Sequence, residues 1–251
     1  MNSKQSCIQD NKDLIAQIEE IENAKNEFVS IASHQLRTPL TAIRWSIELL
    51  NKSSLDNLTS EQKEFLQDID VSVSNMARLI SDLLTVSRID MHRKFDYVLE
   101  KVNLTSLIKK VIEEQRIIGD ARKIGIDYRQ NSKKPIYISA DREKLLQALQ
   151  NIVNNAVKYS RNKHAVSINC LEKNKRVLIK IKDGGIGIPK YQQKDIFQKF
   201  FRSDNAILTD SSGTGLGLYI TKGIIEGHKG KIWFESNPKT GTTFFISLPK
   251  K

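Results

Sequence analysis

The chain has 251 residues, 39% of them hydrophobic, and 40 Lys and Arg against 29 Asp and Glu give a formal net charge of +11. The basic residues are dispersed with little aromatic interleaving, which argues against a dedicated nucleic-acid surface and favours phosphate-bearing ligands or acidic partners. Two cysteines in unrelated contexts argue against a disulfide framework, four histidines with no i, i+4 pair and no CxxC argue against a zinc site, and no run of about 18 apolar residues offers a membrane span.

The polar opening MNSKQSCIQDNK is no signal peptide, so the expected location is cytoplasmic, which also fits the cytosolic part of a membrane-anchored receptor. Leu14, Ile18 and Ile21, then Lys25 and Phe28, follow a 4-3-4-3 spacing that predicts a short coiled-coil seam, assigned to residues 1–27. The stripe continues through Ala32, Leu36, Leu40, Ile43, Ile47 and Leu50, predicting one long helix to about residue 51. Pro39 should bend it, since a proline inside a helix removes a backbone hydrogen bond and clashes with the carbonyl four residues earlier. NKSSLDNL has turn composition, and TSEQ at 59–62 is a capping box with Thr59 as N-cap. Phe65, Ile69, Val73, Met76, Ile80 and Leu83 stripe the next helix. Residues 28–94 thus read as a helical hairpin that buries little alone, and pairing with a second copy into a four-helix bundle is the expected remedy.

Beyond residue 95 the pattern is mixed. NLTSLIKKVIEEQ reads as a capped helix, IGIDYRQ and PIYISA as strands, and DREKLLQALQNIVNNAVKYS as a helix opened by Asp141. The strands AVSINCLE and RVLIKIKD, a glycine-rich segment, a helix from about Gly215 to Gly227, and the strands GKIWFES and GTTFFISLP complete the chain. Helices interspersed with alternating strands predict an α/β sandwich, with helices on one face of a mixed sheet.

Two glycine strings, DGGIGIP at 183–189 and GTGLGL at 213–218, suit close backbone approach to a ligand, though neither matches the dinucleotide or phosphate-loop pattern. Between them KYQQKDIFQKFFRSDNAILTDSS has the composition of a lid. Asn151 and Asn155 lie four apart with Lys158 and Tyr159 a turn further on, so one helical face offers two amides and a cation; amide oxygens with water suit Mg²⁺. In SHQLRTPL, His34 lies about 200° around the helix from both Ala32 and Leu36, away from the apolar stripe. An exposed imidazole with a pKa near about 6.5 is largely neutral at pH 7 and offers a nitrogen lone pair.

Taken in order, Asn151, Asn155, Lys158, Asp183, Gly185, Gly187, Phe197, Phe200, Gly213, Gly215 and Gly217 resemble the nucleotide site of the ATPase family that includes gyrase, the chaperone ATPases and the sensor histidine kinases. SHQLRTPL, with FVSIA before it, resembles the phospho-acceptor box of the sensor histidine kinases of two-component systems. The resemblance implies a homodimeric helical hairpin followed by an ATP-binding domain over residues 95–251. In it Asp183 accepts from the adenine amino group, Asn155 holds Mg²⁺ with Asn151 in support, and Gly185 and Gly187 shape the adenine pocket. The string Gly213, Thr214, Gly215, Leu216 and Gly217 presents the lid's end and a helix N-terminus to the phosphates. Tyr159 packs beside the nucleotide, Lys158 and Arg202 neutralise phosphate, and Phe197 and Phe200 anchor the lid or fill the core.

His34 then takes the γ-phosphate of ATP and passes it to an aspartate of a response regulator, with an upstream sensor domain supplying the signal. Thr38, four residues on, implies support for hydrolysis of the phosphorylated partner. Gln35 departs from the pattern, which most often has glutamate there. An amide oxygen still accepts the ring N–H but cannot take the proton, which implies a slower kinase. A weakly active or phosphatase-biased adaptor that docks and gates a response regulator is the alternative, and a gyrase- or chaperone-type ATPase a third reading.

Overall fold

The computed structural model describes residues 29, 32–33, 35–50, 59–90, 97–161, 164–210 and 213–250. The chain divides into two units, Met1–Arg93 and Lys94–Lys251. The predicted seam over residues 1–27 and His34 itself lie outside the described residues.

In the first unit, helix α1 covers residues 35–50 and helix α2 covers Ser60–Asp90. The helix continues through Pro39, whose missing N–H leaves the Gln35 carbonyl without its usual donor. The capping box before α2 forms reciprocally: Thr59 N–H donates to Gln62 Oε1 at 2.9 Å and Gln62 N–H to Thr59 Oγ1 at 3.2 Å. Leu40 and Ile47 from α1 cluster with Val73 and Ile80 from α2. These are seven-residue steps, one heptad position on each helix. The other heptad position, Leu36, Ile43 and Leu50 on α1 with Ile69 and Met76 on α2, remains exposed.

The second unit opens with strand β1 (Glu100–Asn103), antiparallel to β3 (Tyr137–Ala140). Helix α3 (Leu104–Ala121) follows at once, because the Asn103 side chain accepts from the Ser106 N–H and satisfies a first-turn donor. The main sheet has strand order β2-β4-β5-β7-β6, with β2 Ile126–Gln130, β4 Val166–Lys173, β5 Arg176–Lys182, β6 Lys231–Asn237 and β7 Gly241–Pro249. Among the described residues only β2 and β4 pair in parallel, so the sheet is mixed as predicted.

Register explains the alternation. Cys170, Ile179, Ile246 and Ile232 stand opposite one another across four strands, and all are buried. The sheet meets the apolar faces of α3 at β2, of α4 (Arg142–Tyr159) at β5 and of α6 (Gly217–Gly227) at β6, and Val111, Leu149, Ile152, Ile220 and Ile224 on these helices are buried. Each fully buried aliphatic side chain stabilises by about 1.5–3 kcal/mol, so this layer holds the unit.

Three elements escape the sequence reading: β1, a one-turn 3-10 helix at Lys190–Gln192, and the six-residue helix α5 (Asp204–Thr209) inside the predicted lid. Helix α6 also begins two residues later than expected. Gly215 has φ of +72°, outside helical backbone, so helical geometry starts only at Gly217.

Candidate active site

Helix α4 is the spine of the site. Asp141 caps it, its side chain accepting from the Lys144 N–H at 3.0 Å. Its other end is held by a residue from elsewhere in the chain: the Arg122 guanidinium, at the end of α3, donates to the carbonyls of Val157 (3.0 Å), Lys158 and Ser160 (3.2 Å). A cation on the last carbonyls satisfies acceptors the helix cannot and complements its dipole. Between these ends Leu145, Leu149, Ile152, Val153 and Val157 face the core, which turns Asn151, Asn155, Lys158 and Tyr159 to the half-buried side.

The glycine strings come to that side. Gly185 bridges Ser160, and the Ile186 N–H donates to the Tyr159 carbonyl at 3.2 Å. A Cβ on Gly185 would stand 2.3 Å from that carbonyl oxygen, so the loop can lie against the helix end only as glycine. The Asn151 side-chain amide reaches the Gly217 carbonyl at 3.4 Å, a long contact that brings the start of α6 to the middle of α4.

Asp183 is only 5% exposed. Two backbone amides, of Gly185 and Thr242, donate to its Oδ1 at 2.9 Å each, which leaves Oδ2 with no protein donor among the described residues. Burial pushes its carboxyl above the usual carboxylate range, and the amide hydrogen bonds pull partly against that. An ordered acceptor beside a glycine string is suited to an exocyclic amino group. The Asn155 side chain makes no hydrogen bond among the described residues, so its amide oxygen is open to a hard cation on the same helix face. No three His, Cys, Asp or Glu side chains group as metal ligands among the described residues, so a cation here would rest on amide oxygen, water and ligand phosphates.

The segment expected to form a lid is tied down at three points. The Asn205 side chain donates to the carbonyls of Ile186 (3.2 Å) and Gly187 (2.6 Å), fastening α5 to the first glycine string. Arg202 donates to the carbonyls of Gly213 (3.0 Å), Ala206 (3.3 Å) and Asp210, so its guanidinium organises the lid's return. Lys158 forms an ion pair with Asp210 and lies 5.5 Å from the centre of the Tyr159 ring. Both predicted phosphate cations are thus engaged with lid groups. Phe197 packs edge-on against Phe234 at 6.0 Å, whereas Phe200 is exposed and has φ of +62°. Leu216 is fully buried, and Thr214 Oγ1 accepts from its N–H at 3.3 Å, steadying the turn into α6. In the first unit Gln35 and Thr38 are both exposed on α1.

Comparison with known proteins matches residues 140–251 to the family described as histidine kinase-, DNA gyrase B- and HSP90-like ATPase, and residues 24–92 to the His kinase A (phospho-acceptor) domain. The chain belongs to the sensor histidine kinases of two-component systems. It is 36% identical to sensor protein kinase WalK of Staphylococcus haemolyticus (strain JCSC1435) over 239 residues, 94% of this chain. It spans 38% of the length of that relative. The structure of full-length ShkA in complex with AMPPNP aligns with TM-score 0.74 and 25% identity, covering 89% of this chain and 45% of that one. Histidine kinase ThkA in complex with response regulator protein TrrA shares the fold, with TM-score 0.60 and 24% identity over 90% of this chain and 61% of that one.

The ATPase-domain match contains every nucleotide-site residue picked out above, and the phospho-acceptor match contains His34, Gln35 and Thr38. Sequence reasoning missed Arg122, Asn205 and Thr242, whose parts depend on contacts with residues distant in the chain. No local spacing signals them. Among the described residues no helix is long and apolar enough to cross a membrane.

Proposed function

We propose that this chain is a sensor histidine kinase core that phosphorylates itself on His34 from ATP and passes the phosphoryl group to an aspartate of a response regulator. The carrying observation is Asp183: a buried carboxylate with one oxygen fixed by two amides and the other open, beside a glycine loop that admits no side chain. In this reading residues 1–27 carry the signal, 28–94 dimerise and present His34, and 95–251 bind ATP. Asp183 Oδ2 accepts from the adenine amino group, which a guanine carbonyl at the same position cannot supply. Gly185 and Gly187 line the adenine pocket, Tyr159 packs beside it, and the run from Gly213 through Thr214, Gly215 and Leu216 to Gly217 turns backbone amides toward the phosphates.

Asn155, with Asn151 beside it, fits Mg²⁺, which favours oxygen donors and keeps much of its water; bound there, the ion would neutralise phosphate charge. Lys158 and Arg202 serve phosphate by exchanging their lid partners for it. An imidazole nitrogen of His34 forms the P–N bond as the bond from the γ-phosphorus to the bridging oxygen breaks, and ADP leaves with that electron pair. The ring N–H is held by the Gln35 amide oxygen and its proton passes to water. In the second step the P–N bond breaks as an aspartate oxygen of the regulator takes the phosphoryl group, a partner suggested by the ThkA–TrrA complex. Thr38, one turn from His34 in sequence, orients a water for the phosphatase reaction, in which that water takes the phosphoryl group from the regulator's aspartate and inorganic phosphate leaves.

Incubation with γ-labelled ATP and Mg²⁺ tests this. Acid-labile label should appear on the wild-type chain and vanish in His34→Ala, and Gln35→Glu should speed labelling by about several-fold, since a charged acceptor roughly doubles the hydrogen bond. Label that persists in His34→Ala rejects the assignment. No gain in Gln35→Glu, with weak labelling throughout, favours the adaptor.

A further inference from the structure

Tyr97 is the first described residue after the segment that joins the two units, and its ring is rooted in the second. It lies against the end of α6: its hydroxyl donates to the Gly223 carbonyl at 3.4 Å, and it meets the His228 ring edge-on with centroids 4.6 Å apart. Gly227 makes room for it. A Cβ there would stand 2.1 Å from the Tyr97 hydroxyl oxygen and 2.5 Å from two ring carbons.

His228 is only 5% exposed and engages both nitrogens. Nε2 accepts from the Asp141 backbone N–H at 2.9 Å, so the ring proton sits on Nδ1, which donates to the Ile224 carbonyl at 2.8 Å. Asp141 in turn uses both carboxylate oxygens. Oδ1 caps α4, and Oδ2 accepts from the Val98 N–H at 3.3 Å. Burial and the Asp141 charge push the Tyr97 phenol up to about 12.

We propose that Tyr97, Asp141 and His228 form a clasp that roots the inter-unit connection on the two nucleotide helices at once, making His228 and Tyr97 positioning residues for phosphotransfer. One side of the clasp is the N-terminus of α4, the other the C-terminus of α6. The predicted phosphate end of α6 and the Asn155 face of α4 lie at the opposite ends, about 15 and about 21 Å along the helix axes. Two packed helices pulled together at one end shift together at the other, so a movement of the connection reaches the nucleotide site as one displacement. The nucleotide half of this inference rests on the proposed kinase function; the clasp itself does not.

The test uses the full chain in five forms: wild type, Tyr97→Phe, Tyr97→Ala, Gly227→Ala and the Tyr97→Ala/Gly227→Ala double variant. His34 labelling at saturating ATP, AMP-PNP affinity by calorimetry, and amide exchange at Asp141 and His228 are measured in each. Tyr97→Ala should slow labelling about tenfold while AMP-PNP affinity stays within about threefold, the size of a typical coupling between sites. Tyr97→Phe, which keeps the ring, should stay within about twofold of wild type. Gly227→Ala should match Tyr97→Ala yet add nothing in the double variant, although alanine is the better helix residue. Unchanged labelling in Tyr97→Ala, a parallel loss of affinity and labelling, or additive effects overturn the clasp. If the wild type takes no label, the kinase function fails and exchange alone decides: about tenfold faster exchange at Asp141 and His228 in Tyr97→Ala supports the clasp, and unchanged exchange refutes it.

Discussion

Asp183 bears the largest tension of any single residue in the site. Burial disfavours its charged form, yet the carboxylate is the stronger acceptor for an adenine amino group. Its raised pKa brings protonation closer to neutrality than for an exposed aspartate, so ATP affinity should fall as pH drops through that pKa. The Asp183→Asn variant should bind ATP about tenfold to a hundredfold more weakly at about pH 8, the range of a hydrogen bond to a charged group, and lose the acid dependence. Calorimetric titration with ATP at about pH 8 and about pH 5 reads both effects. A variant whose affinity still tracks pH as the wild type's does would remove Asp183 from adenine recognition. The aspartate was legible because it precedes two glycines at the end of an alternating strand. The Thr242 amide that fixes its Oδ1 arrives from β7, 59 residues away, and no local pattern announces that.

Elements were legible in proportion to how far their own apolar period stabilises them. Helices α3 and α4 bury continuous stripes, α2 buries Val73 and Ile80 of its own, and all three were read as capped, by Asn103, Asp141 and Thr59 respectively. Strand β1 is four residues long and owes its existence to pairing with β3, so alternation had no room to show. Helix α5 buries none of its six residues and is held by Asn205 and Arg202 instead. Within α2, Asp82 is a polar intrusion whose carboxyl burial pushes up to about 6, with Arg78 pulling the other way. A carboxyl raised above its unfolded value of 3.8 favours the folded state when protonated; that contribution is full below the unfolded pKa and is lost as pH rises through about 6. Raising the pH from about 5 to about 8 should therefore weaken the helical unit by about 1 kcal/mol once solvent screening is allowed for. Asp82→Asn should abolish that loss and melt higher than wild type at the upper pH. Calorimetric melts of both forms across the range check it, and a wild-type transition that does not weaken on alkalinisation would count against the buried carboxyl.

At the scale of the whole molecule, the hairpin satisfies only half of its own heptad pattern. Leu40 and Ile47 on α1 meet Val73 and Ile80 on α2, while Leu36, Ile43, Leu50, Ile69 and Met76 face water with between 44% and 52% of their surface exposed. Apolar side chains at the second heptad position are what a further pair of helices covers, and a second copy of the same hairpin supplies it with matching spacing. The two halves of the stripe should therefore respond differently to substitution. Ile47→Ala opens a cavity inside one hairpin and should cost about 2–4 kcal/mol of stability. Ile43→Glu leaves that interior intact but sets a charge on the face left open, where an unpaired buried charge costs several kcal/mol, enough to part the copies. Sedimentation equilibrium at micromolar concentration should give twice the 28.6 kDa chain mass for wild type and the single mass for Ile43→Glu. Helical circular dichroism should be retained in the Ile43→Glu variant, which separates loss of pairing from loss of folding. A wild-type chain that sediments at the single mass would leave the exposed half of the stripe to another partner and remove the bundle from the proposed kinase.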